Sequence, residues 1–285
     1  MDYPEKFAIE TVLGCNLRCV ECAVGSELVQ RKHGVMSYER YLAVMEKISA
    51  HASYIYLHLW GEPMLNPDIY AMIAHASRTC RTNISTNGVL MDDAAAKKLI
   101  TSGVSEIIVS IDGMTQAVYE KYRRNGDVRK ALSSLVHLVK YNRLYGDRVD
   151  ISPQFIVFEH NRHQMREFSE MCGKLGLRPI FKAPYLRGTS RLKASGIPGL
   201  VRVKAERPQE RRDAMKSCGV DTVTNILLDG SVVPCCYDHN AEMTFGNIFR
   251  ESLEDIWDKA TYVAFRDAVV TGNAPLFCMK NCLMD

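Results

Sequence analysis

The sequence lacks what would place it in a membrane, on nucleic acid or outside the cell. No apolar run approaches the about 20 residues that a bilayer-spanning helix needs, so no membrane partner is expected. The opening Met1-Asp2-Tyr3-Pro4-Glu5-Lys6 has no apolar stretch of the kind a secretory signal carries. A net charge of +3 is too small to argue for nucleic acid. There is no internal repeat and no low-complexity tract. The remainder is ordinary for a globular chain, 47% hydrophobic and 24% charged. Its 285 residues leave room for one large unit and one small one. A cytoplasmic protein is expected.

Against these absences stand ten cysteines. Without a secretion signal they point to metal or redox chemistry rather than a disulfide framework. Three of them, Cys15, Cys19 and Cys22, form a CxxxCxxC triplet directly after the apolar run Phe7–Leu13. Thiolates select zinc, cuprous copper or iron–sulfur clusters. Structural zinc takes four ligands, usually from paired Cys or His units, and no fourth Cys or His follows closely here. A cubane on three cysteines leaves one iron without a protein ligand. Three buried core thiols are the blander alternative, but ligand spacing on a strand-to-helix loop is the more specific signal.

Six β-branched, apolar runs alternate with amphipathic segments. The runs are Phe7–Leu13, Tyr54–Leu59, Thr82–Ser85, Glu106–Ile111, Ile151–Phe158 and Pro179–Lys182. Between them the helical period appears over Ser37–His51, Pro67–Arg78, Asp92–Ser102, Asp127–Leu144 and His163–Leu175. Asn66-Pro67-Asp68 reads as a helix cap followed by proline, and Gly176 as a helix stop. Repeated β-α units imply a parallel sheet with right-handed crossovers. Six units are too few for a closed eightfold barrel, so an α/β open (β/α)6 partial barrel is expected over 1–186. The active site of such folds lies at the C-terminal strand ends. There fall the Cys triplet, Gly61-Glu62-Pro63, Asn87-Gly88 and Ser110-Ile111-Asp112-Gly113. On the last two strands Gln154, Lys182 and Tyr185 alternate toward the mouth, and Glu159-His160 end the fifth. A satisfied core polar group competes with substrate contact for each, and His163 reads as a helix-start residue.

Residues 187–216 lose the pattern and read as a linker or substrate-facing loop. The chain closes with a small cysteine-rich unit, 217–285. In it Cys218 precedes a hairpin, Thr222–Leu228 and Ser231–Pro234 about Asp229-Gly230. Cys235-Cys236 follow, then a helix near Ser252–Ala268, then Cys278 and Cys282. Four thiolates complete either a zinc site or a fully ligated cluster. Cys80 and Cys172 read as buried thiols. Cys236 is a rival ligand to Cys235, an inert thiol, or a hydrogen-atom donor; the glycine spacing favours Cys235 as ligand.

The triplet resembles the signature of the radical S-adenosylmethionine (radical SAM) superfamily. The resemblance implies a [4Fe-4S] cluster on Cys15, Cys19 and Cys22, with SAM chelating the fourth iron. It also implies cleavage to a 5′-deoxyadenosyl radical that abstracts substrate hydrogen. Where the family usually has an aromatic residue before the third cysteine, this chain has Glu21. Trp60-Gly61-Glu62-Pro63 looks like the family's GGEP motif, which assigns Gly61, Glu62 and Pro63 to the SAM amino group. Asn87, Ser110 and Asp112 match segments near the SAM ribose and carboxylate, and Arg123 or Arg124 would pair with that carboxylate. The C-terminal spacing resembles the SPASM/twitch extension, with an auxiliary [4Fe-4S] cluster on Cys218, Cys235, Cys278 and Cys282. The implied function is oxidation of a small polar, sugar- or aminocyclitol-like substrate, as in twitch-type aminocyclitol dehydrogenases. The auxiliary cluster would be its electron acceptor and a flavodoxin- or ferredoxin-type protein its electron donor. Glu159, Lys182 and Tyr185 are then candidate catalytic residues. Epimerisation with Cys236 as hydrogen donor, or modification of a ribosomally made peptide, are the enzymatic alternatives. An iron–sulfur or zinc structural module is the non-enzymatic one.

Overall fold

The computed structural model describes residues 3–187, 190–200, 218–273 and 275–281. The expected linker from 201 onward, and Cys282, lie outside the described residues. A nine-stranded sheet forms the frame. It runs β11 (Gly246–Asn247), β10 (Ser231–Val233), β9 (Val223–Ile226), β1 (Lys6–Ile9), β4 (Tyr54–Tyr56), β5 (Arg81–Thr86), β6 (Glu106–Ser110), β7 (Asp150–Ile156) and β8 (Ile180–Lys182). Pairing from β9 through β8 is parallel; β10 and β11 add antiparallel. The six expected barrel strands are all present in the expected order. The hairpin of the cysteine-rich unit, read from sequence as separate, has its first strand hydrogen-bonded alongside β1.

The first run does not stay straight. Glu10-Thr11 interrupts it, and β2 (Val12–Leu13) leaves the main sheet to pair with β3 (Gly34–Val35). The physical reason is the Glu10 carboxylate. Fully buried, it takes both terminal guanidinium nitrogens of Arg31, at 2.6 and 2.8 Å, and the main-chain N–H of Leu228 at 2.9 Å. A buried charge must be paired, and here the pairing ties β1 to the hairpin.

Helices α1 (Tyr38–Ile48), α2 (Ile69–Ala76), α3 (Asp93–Thr101), α4 (Gln116–Tyr119), α5 (Val128–Leu144) and α6 (Met165–Leu175) cover the outer face. Capping follows chemistry visible in the sequence: Ser37, Asp92 and Asp127 each accept a first-turn N–H. α6 ends on Gly176, whose φ of 79° suits a residue without a Cβ. Asn66 caps as expected, its Oδ1 accepting the Asp68 N–H at 2.9 Å, although α2 itself begins only at Ile69. Its amide nitrogen also donates to the Thr11 and Met36 carbonyls at 2.9 and 3.0 Å, pinning the β2 and β3 segments to the loop after β4. The single helix expected near Ser252–Ala268 is two, α7 (Leu253–Trp257) and α8 (Ala260–Val270), before α9 (Leu276–Asn281).

Alternation along the strands sorts the two faces. Ile55, Ile84, Ile107, Val109 and Phe155 are fully buried against the helices. The opposite residues, Tyr54, Tyr56, Asn83, Ser85, Glu106 and Ser110, with Ile108 and Ile156 among them, make the inner face largely polar. Cys80 and Cys172 are buried thiols, as expected, one preceding β5 and one within α6.

Candidate functional site

The triplet loop leaves β2 and lies against the 122–124 segment through Arg18 N–H to Arg124 C=O (2.9 Å) and Val20 N–H to Tyr122 C=O (3.1 Å). Cys15 Sγ accepts the Leu17 N–H at 3.3 Å. Burial raises the Cys15 thiol to about 11 and Cys19 to about 12, with neighbouring thiols adding and Arg123 opposing. Such thiols become thiolates only when a metal supplies the compensating charge. The donor set therefore fits a cluster. Among the described residues, no three His, Cys, Asp or Glu are placed to hold one metal ion. A cubane gives each cysteine its own iron, so its ligands need not converge on a single centre.

The loop turns so tightly that a Cβ on Gly25 would lie 2.5 Å from the backbone N and O of Cys19. Gly25→Ala is expected to shift Cys19 and cost about 1–3 kcal/mol, as overpacking does. Iron content of the reconstituted protein should fall from about eight per chain toward about four, the auxiliary cluster remaining. Full content with an unchanged spectrum would refute the close packing.

Glu62 is the centre of the second strand end. Only 2% exposed, it accepts Thr86 Oγ1–H at 2.6 Å and Met64 N–H at 3.2 Å on Oε1, and Asn87 N–H at 2.8 Å on Oε2. Burial raises its pKa, with Thr86, Asn87 and Met64 opposing. A carboxylate offers about four lone-pair sites, so one remains for a cationic ligand. Gly61, at φ 88°, admits the approach: a Cβ there would meet Gly14 O and Val12 O at 2.6 Å. Asn87 reaches the triplet itself, its amide nitrogen 2.9 Å from Asn16 Oδ1 and 3.8 Å from Cys15 Sγ.

Ser110 is nearly buried and accepts the Gln154 amide N–H at 3.3 Å, joining two expected residues on the inner face. Asp112 is fully buried, with Oδ2 2.5 Å from Arg123 Nε and Oδ1 accepting Ile156 N–H at 2.6 Å, so the structure shows it holding the ends of β6 and β7. Of the arginine pair, Arg123 is the buried one and Arg124 is exposed, its carbonyl bonded to Arg18. Burial alone would lower Arg123, but Asp112 and the Cys19 thiol hold it well above its usual value.

Lys182 pairs in register with Ile156 at the far edge, and Tyr185 places its ring 6.1 Å from Tyr237. Glu159, by contrast, points to solvent and faces Lys193 at 3.7 Å. Its surroundings are built by 193–195, which bridge to Phe158 and accept from Arg162. That part of the expected linker is packed structure. One inner-face residue escaped sequence reading: His58. Its Nδ1 accepts Ser85 N–H at 3.1 Å, which leaves the ring proton on Nε2. Burial pushes its pKa down to about 4, so near neutral pH it is an uncharged donor. The spacing Tyr54, Tyr56, His58 was the available signal.

Cys218 heads the turn before β9, Cys235 follows β10 partly buried, Cys236 is exposed, and Cys278 lies on α9. Burial raises the Cys235 thiol, with Cys236, Cys218 and Cys278 adding to the rise. Cys235 is the more enclosed of the adjacent pair. Trp60, at the first glycine of the GGEP-like motif, packs edge-on to His239, ring centres 5.6 Å apart.

The radical SAM superfamily profile matches residues 9–154, and an iron–sulfur cluster-binding domain profile, SPASM, matches 218–283. Among curated proteins the chain is similar to an AdoMet-dependent heme synthase of Nitratidesulfovibrio vulgaris, 24% identical over 90% of this chain and 79% of that protein. It is likewise similar to a PqqA peptide cyclase of Gluconobacter oxydans, 25% identical over 90% and 76%. In fold it is similar to BtrN solved with AdoMet and 2-DOIA, with TM-score 0.60 and 20% identity over 95% of this chain and 89% of that one. Native anSMEcpe with bound AdoMet gives TM-score 0.66 and 16% identity over 92% and 82%.

Proposed function

The chain belongs to the radical SAM superfamily, with an SPASM iron–sulfur domain at its C-terminal end, and on that premise we propose that it oxidises a small polar substrate. When bound, SAM and the two clusters supply a hydrogen-abstracting radical and an acceptor for the electron left on the substrate. Cys15, Cys19 and Cys22 would hold one cluster, and Cys218, Cys235, Cys278 and Cys282 the other. Glu62 would accept from the SAM ammonium through its remaining lone pair, and Asn87 steadies Cys15.

The observation that carries the substrate class is the polar inner face. Ser85, Ser110 and Gln154 on neighbouring strands, and the Nε2–H of His58 just past the end of β4, are hydrogen-bonding groups, with Lys182 at the edge. They suit a hydroxyl- or amine-bearing ring better than an apolar one, because a buried polar donor left unmatched costs free energy. His58 orients such a hydroxyl as a donor; taking a proton at Nδ1 would cost its bond to Ser85. Lys182 and Tyr185 remain the candidates to receive the hydroxyl proton. The family relationship supports a flavodoxin- or ferredoxin-type electron donor as partner. No helix among the described residues is long and apolar enough to cross a membrane.

The test is anaerobic incubation of the two-cluster protein with SAM, reductant and deuterated aminocyclitols, sugars and peptides. Deuterium in 5′-deoxyadenosine, with a product two hydrogens lighter, is the expected result for a ring alcohol. Transfer with a product that keeps its hydrogen count, protium from the Cys236 thiol replacing the deuterium, would replace oxidation by epimerisation, and transfer only from peptides would replace the substrate class.

A further inference from the structure

Between two of the triplet cysteines stands an acid, Glu21, whose side chain is 4% exposed. A buried carboxylate needs a partner, and this one comes from 166 positions away. Arg187 donates its main-chain N–H and its Nε to Glu21 Oε2, both at 3.2 Å. Its two terminal nitrogens donate to Ser26 Oγ at 2.8 Å and to the Val20 carbonyl at 2.5 Å. Ser26 Oγ–H in turn donates to the Cys22 carbonyl at 2.6 Å. One guanidinium thus spends all three nitrogens on the single loop that encloses Cys19 and Cys22. Only the planar, fork-shaped donor set of arginine does this; a lysine ammonium is a point charge.

The segment that delivers Arg187 also faces the other way. Leu186 packs with Leu17, Cys19, Tyr122 and Phe158. Tyr185 places its ring 6.1 Å from Tyr237, next to Cys236 in the cysteine-rich unit. Tyr185–Arg187 therefore runs from the hairpin beyond Cys235 to the triplet loop.

We propose that Glu21 and Arg187 form a clasp that positions the triplet loop, with Arg187 acting as a positioning residue for SAM binding rather than as a contact to the reacting atoms. This rests on the reading of Cys15, Cys19 and Cys22 as cluster ligands. The clasp holds the loop backbone at Val20, Glu21 and, through Ser26, Cys22. It also ties that loop to the segment carrying Tyr185, so the cofactor side and the substrate side of the mouth are set by one contact.

The test uses the full-length, two-cluster protein, SAM as ligand, and a ferrous-iron chelator. Arg187→Gln leaves Glu21 buried without its cation. About a tenfold loss of SAM affinity and several-fold faster iron release from the triplet cluster are expected, with the auxiliary cluster's signal unchanged. Adding Glu21→Gln removes the stranded charge and should recover part of both losses. Arg187→Lys keeps the charge but not the fork, and should fall between wild type and Arg187→Gln. The clasp is refuted if Arg187→Gln stays within twofold of wild type on both readouts. It is equally refuted if the double variant loses the product of the single losses, or if Arg187→Lys matches wild type. Should Arg187→Gln fail to fold, the lysine variant alone decides. Absence of SAM cleavage by the wild type would sink the proposed function instead, and iron release would still read the clasp.

Discussion

Arg123→Met is expected to destabilise the protein by about 3–5 kcal/mol, the range seen when one partner of a buried ion pair is removed. Asp112 has no solvent exposure and places one oxygen on Arg123 Nε and the other on Ile156 N–H. Its backbone carbonyl accepts the Asn161 side chain at 3.1 Å. The pair thus clamps the ends of β6 and β7 beneath the triplet loop. Without the guanidinium, Asp112 becomes an unpaired buried charge. Replacing both residues, Asp112→Asn with Arg123→Met, removes that charge and should restore much of the loss. The penalty of the single variant should shrink as pH falls. Burial already raises the Asp112 pKa, so its neutral form, which needs no cation, is reached above the ordinary aspartate range. Anaerobic urea unfolding across pH measures both effects. A loss under about 1 kcal/mol would mean that the strand ends are held by packing alone.

Glu62→Gln is expected to weaken SAM binding by about 10- to 100-fold, about 1.4–2.8 kcal/mol, matching the loss of a hydrogen bond to a charged group. The substitution keeps the volume but turns one acceptor into a donor. That donor would face the Asn87 N–H or the Thr86 hydroxyl, which now donate to the carboxylate at 2.8 and 2.6 Å. Thr86 can rotate to accept; Asn87 N–H cannot. A fold cost of about 1–3 kcal/mol should accompany the binding loss. Because burial raises the Glu62 pKa, wild-type affinity should begin to fall, as pH drops, above the usual glutamate range. Equilibrium dialysis with labelled SAM on the two-cluster protein reads the effect. Wild-type affinity in the variant, with both clusters intact, would remove Glu62 from the SAM site.

Much of this was legible in the sequence because it is written locally. The CxxxCxxC spacing, the β-α order, the Asp-Gly hairpin and the caps at Ser37, Asp92 and Asp127 each depend on residues a few positions apart. What was not legible is how each side chain is used at a distance. Asn66 suits a cap and accepts the Asp68 N–H, yet it also reaches Thr11 and Met36. Asp112 sits at a strand end, and position along the chain does not reveal that it pairs with Arg123. Glu159 ended the fifth strand but turned out to solvent toward Lys193.

By itself the sequence determined the cysteine-bearing loops, the alternation that sorts the two faces of the sheet, and the family. Periodicity and spacing are properties of neighbouring residues. Only the tertiary structure decided which charges are buried together. Glu10 with Arg31, Asp112 with Arg123 and Glu21 with Arg187 join residues 21, 11 and 166 positions apart. A carboxylate excluded from water must take whichever cation the sheet's order brings beside it, and that order is fixed by the whole core rather than by any one segment.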